Sequence, residues 1–141
     1  MILLDTNVVS EPMRVQPNAD VIGWLNEQDA ARLYVSSITV AEIHFGIACL
    51  PEGQRQRRLR EIFGQFMVQA FDSRVLPFGS SSAAIYGQIR AKRRAQGRPI
   101  SPLDAQIAAI ALANDLAIAT RNTKDFDGLD LVVHNPFEAN T

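Results

Sequence analysis

Cysteine is nearly absent. Cys49 is the only one in 141 residues, so no intrachain disulfide can staple the chain. Its neighbours Ile47, Ala48 and Leu50 are apolar, and no local His or Asn motif supports a nucleophile. Cys49 therefore reads as a small core residue. Histidine is scarce too. Neither His44 nor His134 has a partner at metal-ligand spacing, so both read as ordinary residues. No apolar run reaches the ~18 residues of a membrane helix. Met1-Ile2-Leu3-Leu4 runs into Asp5 too soon for a signal peptide, so the expected location is the cytoplasm, with no membrane partner. Internal repeats, low-complexity segments, a Gly-rich phosphate loop and a GxSxG elbow are all missing. The net charge of −1 says nothing for nucleic acid taken alone.

What is there is a core. Hydrophobic residues make up 47% of the chain, enough for one domain without staples. A domain of this size buries roughly 70% of the surface its unfolded chain exposes. Short apolar runs predict strands at Ile2-Leu3-Leu4, Leu33-Tyr34-Val35, Val75-Leu76, Leu116 to Ala119 and, at a sheet edge, Leu131-Val132-Val133. Helical spacing predicts helices after Pro17-Asn18, over Thr39 to Leu50, over Gln54 to Ala70, from Ser81 or Ser82 to about Gln96, and over Leu103 to Asn114. Gly97 should stop the fourth of these, and Ser101-Pro102 should start the fifth, which is apolar nearly all round and expected to be buried. The domain should cover residues 1–134, with a loose tail over 135–141. Strands alternating with helices predict an α/β domain, with a mainly parallel sheet of four to five strands and helices on both faces. In such sheets ligands sit at the carboxyl ends of the strands. That rule points to Asp5 after the first strand and to Thr120-Arg121-Asn122 after the fourth.

The basic residues are gathered into two groups. Arg55, Arg57, Arg58 and Arg60 form one; Arg90, Lys92, Arg93, Arg94 and Arg98 form the other. They are either solvated helix faces or phosphate contacts, and a nearby nuclease site is needed to favour the second.

Four acids stand where such a site could form: Asp5, Glu42, Asp104 and, three residues beyond Asn122, Asp125. Each has a plainer reading. Asp5 can cap a turn. Thr39-Val40-Ala41-Glu42 has the pattern of a capping box, Ser101-Pro102-Leu103-Asp104 has its acidic version, and Asp125 can be a surface loop residue. Jointly they say more, because the layout brings Asp5, Glu42 and Asp104 toward one end of the sheet. Two unit charges ~6 Å apart repel by roughly 2.8 kcal/mol at an effective dielectric of 20. Three such pairs rival the roughly 5–15 kcal/mol that holds a domain together. A cation or shared protons must offset that. All-oxygen ligands suit magnesium or manganese rather than zinc. Such an ion beside basic helices suggests phosphodiester hydrolysis by an activated water. This chemistry does not separate RNA from DNA.

At these residues the chain resembles a known family. Met1-Ile2-Leu3-Leu4-Asp5-Thr6-Asn7-Val8-Val9-Ser10, Ser37-Ile38-Thr39-Val40-Ala41-Glu42, Pro102-Leu103-Asp104 and Ala119-Thr120-Arg121-Asn122-Thr123-Lys124-Asp125-Phe126 look like PIN-domain VapC toxins, most of all the FitB-like branch. The likeness spans the chain, including the ending Asn135-Pro136-Phe137. Each motif is weak alone; their order and spacing are specific.

The resemblance implies a parallel-sheet α/β sandwich and a magnesium- or manganese-dependent endoribonuclease, with structured RNAs such as tRNA as substrates. Asp5 and Asp104 would be the principal metal ligands. Glu42 would help hold the metal or orient the water, and Thr6 and Asn7 would support Asp5. The resemblance further implies a homodimer silenced by a small cognate antitoxin, of the ribbon-helix-helix type, through which alone operator DNA is bound. One departure stands out: Asn122 occupies a place where some members carry a fourth acid. Asn122 can ligate through its carbonyl without adding charge, and Asp125 can replace it if the loop turns inward. The alternative reading is a catalytically weak binding module of the same fold, acting with its antitoxin as an operon repressor. Arg90, Arg94 and Arg98 are the candidate RNA contacts.

Overall fold

A computed structural model of the chain describes residues 1–138. The first strand, β1 (Ile2–Leu4), is followed by α1 (Thr6–Ser10), a 3-10 turn at Glu11–Met13 and α2 (Ala19–Glu27). Next come β2 (Leu33–Ser36), α3 (Ser37–Ala48) and α4 (Gln54–Ala70). β3 (Val75–Leu76), α5 (Ser80–Ala95), α6 (Pro102–Ala113) and β4 (Ala117–Ala119) lead to a 3-10 turn at Thr123–Phe126 and β5 (Val133–His134). The five strands pair in parallel in the order β3-β2-β1-β4-β5, with β5 at an edge, as the sequence pattern predicts.

Successive strand residues face opposite ways, so β1 feeds two cores. Leu3 packs with Ile118, Ile107, Ile110 and Ile89 on the side of α5 and α6. Leu4 packs with Val8, Val21, Val35, Ile43 and Phe63 on the other. Ala105 and the run Ile107 to Ala111 of α6 are all buried, which accounts for the helix being apolar nearly all round. Phe63 and Phe71 belong to the second core, with Phe66 and Met67 half-buried against it.

The chain leaves β1 toward β2 and β3, then returns across it to β4 on the far side. A crevice therefore opens at the carboxyl ends of β1 and β4, where the order of strands reverses. Asp5 and Thr120 are the first residues past those two strands.

Helix ends explain most departures from expectation. Asn18 caps α2 and Ser101 caps α6 as expected, but α3 begins two residues early. Ser36, still extended at the end of β2, accepts the Thr39 N–H at 3.1 Å, so the Thr39–Glu42 capping box does not form. α5 starts at Ser80 behind Gly79, and Ser82 turns into the core instead of capping. At its far end Gly97 adopts φ +71°, its N–H bonds to Arg94 O at 3.1 Å, and the Arg98 N–H bonds to Arg93 O at 2.9 Å. That is the left-handed glycine stop expected there. Cys49 is exposed, contrary to the core reading. It lies two residues, or about 200° around the helix, from the buried Ile47, and so points away from the core. In the segment Asn135–Glu138, Pro136 is buried and Phe137 packs on the second core. The rest of the expected tail, 139–141, lies outside the described residues.

Candidate active site

Asp5 ends β1 and caps α1. Its Oδ1 accepts the Thr6 N–H at 2.8 Å, which bears out the plain capping reading for one oxygen. The other oxygen does something else. Asp5 Oδ2 accepts from Thr120 Oγ1 at 2.8 Å and from Asn7 Nδ2 at 3.4 Å, and the side chain is only 4% exposed. Burial is the main influence on its carboxyl and raises its pKa above the ordinary value. The hydrogen bonds from Thr120 and Thr6 pull the other way, and the charges of Asp104 and Glu42 push it further up.

Those charges show which acids share the crevice. Glu42, freed from any cap, accepts from Thr6 Oγ1 at 3.0 Å, and the same hydroxyl bonds Thr39 Oγ1 at 3.1 Å. Asp104 is half-buried in the first turn of α6. Its pKa is raised by burial and by the charge of Asp125, against a hydrogen bond from Ser101. Asp5, Glu42, Asp104 and Asp125 thus act on one another through space. Among the described residues, however, no three His, Cys, Asp or Glu side chains draw together into a metal-enclosing cage.

This arrangement fits a small hard cation. Magnesium keeps several waters and takes one or two carboxylates rather than an all-protein shell. The donors on offer are carboxylate, amide and hydroxyl oxygens, and Asp5 oxygens that already accept protein hydrogen bonds keep lone pairs for an ion.

Thr120 had been singled out only by its place after β4. It is fully buried, donates to Asp5, and accepts the Asn122 N–H at 3.0 Å and Asn7 Nδ2 at 3.5 Å. It therefore links Asp5 to the segment that carries Asn122 and Asp125, both of which are exposed. Thr6 bonds Asp5 through its backbone N–H and Asn7 through its Nδ2.

Arg93 was missed by any reading of the basic run as solvated or phosphate-bound. It is 4% exposed, and its Nη2 donates to the carbonyls of Asp125 at 3.0 Å and Asp127 at 2.7 Å. It pins the Asp125 turn to α5. The remaining members of that run are exposed. Arg90 and Arg94 line an open cavity of about 590 Å³ with Ala91, Pro99 and Ile100, next in sequence to the Ser101–Asp104 cap. Arg90 also bonds Tyr86 Oη at 3.1 Å. Arg98 does not line that cavity; it pairs with Asp127 at 4.0 Å. His44 and His134 make ring contacts, with Phe63 at 5.1 Å and Trp24 at 6.2 Å.

Comparison with known proteins follows the same residues. A family profile described as PIN domain matches residues 2–130. The chain is 49% identical to the plasmid stability protein StbB of Pseudomonas syringae, over 99% of this chain and 100% of that one. It is 44% identical to the toxin FitB of Neisseria gonorrhoeae, over 97% and 99%. It is 38% identical to the VapC ribonuclease Y4jK of Sinorhizobium fredii, over 98% and 99%. Among solved structures, FitAB bound to an IR36 DNA fragment superposes with a TM-score of 0.94 at 42% identity, covering 100% of this chain and 99% of that one.

Proposed function

The chain belongs to the PIN-domain family, and on that premise we propose that it is the toxin of a toxin–antitoxin pair, an endoribonuclease that works with a divalent ion. Relatives that it matches end to end are named as a toxin and as a ribonuclease. The single observation that carries the chemistry is Asp5, bonded by Thr6, Asn7 and Thr120, its carboxyl raised by burial first and then by the charges of Asp104 and Glu42.

The residues would divide the work as follows. Asp5 and Asp104 would hold magnesium or manganese, with Asn122 or Asp125 near enough in sequence and turn to add an oxygen. The bound ion would supply Lewis acidity and an activated water. Thr120, Thr6 and Asn7 fix the Asp5 carboxylate in place. Glu42, held by Thr6, would help hold the ion or orient the water. Arg90 and Arg94, on the cavity beside the Asp104 cap, would meet phosphates; Arg98, engaged with Asp127, is the weakest of the three candidates.

A partner antitoxin of the ribbon-helix-helix type would silence the chain, and operator DNA would be bound through that partner. The solved FitAB–DNA assembly supports this. We propose a homodimer in the cytoplasm; no helix among the described residues is long and apolar enough to cross a membrane. The test is to offer the purified chain a tRNA pool and single-stranded or branched DNA, each with magnesium and with chelator. Cleavage of RNA alone, and only with magnesium, is the expected result. Equal cutting of DNA, or cutting that persists in chelator, contradicts it. A chain that binds partner and operator but cuts nothing is the repressor module that the uncharged Asn122 favours.

A further inference from the structure

Two features have no part in the carboxylate chemistry: Arg121, one residue past Thr120, and the ending Asn135-Pro136-Phe137. The fold joins them. Asn135 Oδ1 accepts the Phe137 N–H at 3.0 Å, turning the chain at the buried Pro136 and seating Phe137 on the second core. The Arg121 guanidinium lies over the Phe137 ring, 4.4 Å from its centroid. At its other end, the Arg121 N–H donates to Asn7 Oδ1 at 3.1 Å, and Asn7 in turn donates to Asp5. Arg121 is thus fixed twice, by its backbone to the carboxylate site and by its charge to an aromatic ring.

Among the described residues the ion pairs are Arg14–Glu11 and Arg98–Asp127, and Arg121 is in neither. Glu11 does feel Arg121. Burial works to raise the Glu11 carboxyl, but the Asn18 N–H, Arg14 and then Arg121 outweigh it and leave it lowered. Both Glu11 oxygens already accept from Arg14 at 3.2 Å, and Oε2 also accepts the Asn18 N–H at 2.9 Å. Asn7 and Glu11 are four residues apart on one helical ridge. The Arg121 charge thus acts on Glu11, at the end of the helix that Asp5 caps, and the residue is exposed. A guanidinium stacked on a ring keeps its in-plane donors free for a phosphate and has less freedom left to lose on binding.

We propose that Arg121, mounted on Phe137, is a phosphate contact that holds the RNA backbone against the carboxylate site. Carboxylates repel a phosphodiester; a fixed cation at the rim offsets that repulsion. This rests on the ribonuclease reading, and the two can fail separately.

The experiment measures binding of a labelled, short single-stranded oligoribonucleotide to the full chain in chelator, across a series of salt concentrations. Asp104→Asn is the background, to suppress cleavage. Arg121→Gln should weaken binding and flatten the slope of log K against log salt by roughly 0.7, one single-strand phosphate. Arg121→Lys should restore the slope but not the whole affinity. Phe137→Leu, which keeps apolar packing, should weaken binding with the slope intact. An Arg121→Gln slope equal to the background's overturns the proposal, even if the variant melts lower. If the Asp104→Asn chain does not bind the RNA at all, the proposal falls, while cleavage of the tRNA pool by the parent chain with magnesium decides the ribonuclease reading by itself.

Discussion

Thr120 shows how much of the chemistry rests on a residue that carries no charge. Its hydroxyl donates to Asp5 and accepts from the Asn122 N–H and from Asn7 Nδ2, so replacing it with the isosteric valine removes all three bonds without opening a void. Groups that orient a metal-binding carboxylate typically matter by about 10–100-fold, and Thr120→Val should lose RNA cleavage within that range at unchanged fold. Equal rates would mean that Asp5 needs no such support. Asp5 itself carries a cost for the fold. A carboxyl raised in the folded state takes up its proton at higher pH than in the unfolded chain. Stability then falls as pH climbs from the ordinary carboxylate range through the raised value. Asp5→Asn cannot ionise and escapes that loss. In chelator at neutral pH it should melt above the parent, by roughly 2–8 °C for each kcal/mol relieved. The gap should close at acidic pH, where the parent's carboxyl is neutral in both states. A variant that melts lower at every pH would show that the carboxylate's hydrogen bonds outweigh its desolvation. Much of this could be read in the letters alone: Asp5 and Thr120 both follow apolar runs, and the sheet rule marks both. Glu11 could not be read, because nothing in its neighbourhood says that Asn18 and Arg14 will fold back over it.

The elements were legible where periodicity is long and unbroken. α4 runs from Gln54 to Ala70, as its apolar stripe predicts, and α6 is buried because its sequence has no polar face. Ends were harder. Whether Ser36 or Thr39 caps α3 depends on which hydroxyl stands at the last extended residue of β2, and two candidates three residues apart look alike in sequence. The same ambiguity hides Arg93. In the run Arg90, Lys92, Arg93, Arg94 every residue has the same chemistry, and only the packing of α5 against the Asp125 turn selects the one that is buried. Arg93→Met would leave the Asp125 and Asp127 carbonyls without their donor. A hydrogen bond from a charged donor contributes about 1.5–3 kcal/mol, and urea denaturation should register a loss of that order. Arg93→Lys should recover part of it, since one ammonium can still reach a carbonyl. A midpoint unmoved by the methionine would return Arg93 to the surface run.

As a whole the molecule is a parallel sheet that reverses its strand order beside β1, so that segments from distant parts of the chain meet at one crevice. Asp5, Glu42, Asp104 and the Asn122–Asp125 turn reach it from different crossings of the sheet. Burial first, and then their mutual charge, raises the carboxyls of Asp5 and Asp104. The sequence pattern led to this meeting place. It did not show that the acids would stay too far apart to enclose an ion unaided, nor that the C-terminal Phe137 would return to hold Arg121 at the rim. Both follow from side-chain placement, on which spacing along the chain is silent. Cleavage then depends on carboxylates from the β1–α1 junction and from the first turn of α6 acting together. The most direct check is the rate at which one RNA is cut as magnesium is raised, for the parent, Asp5→Asn and Asp104→Asn. The parent should cut with a rate that saturates in magnesium, while each variant stays near the uncatalysed level at every concentration. Two variants that cut as fast as the parent would leave the crevice without a function.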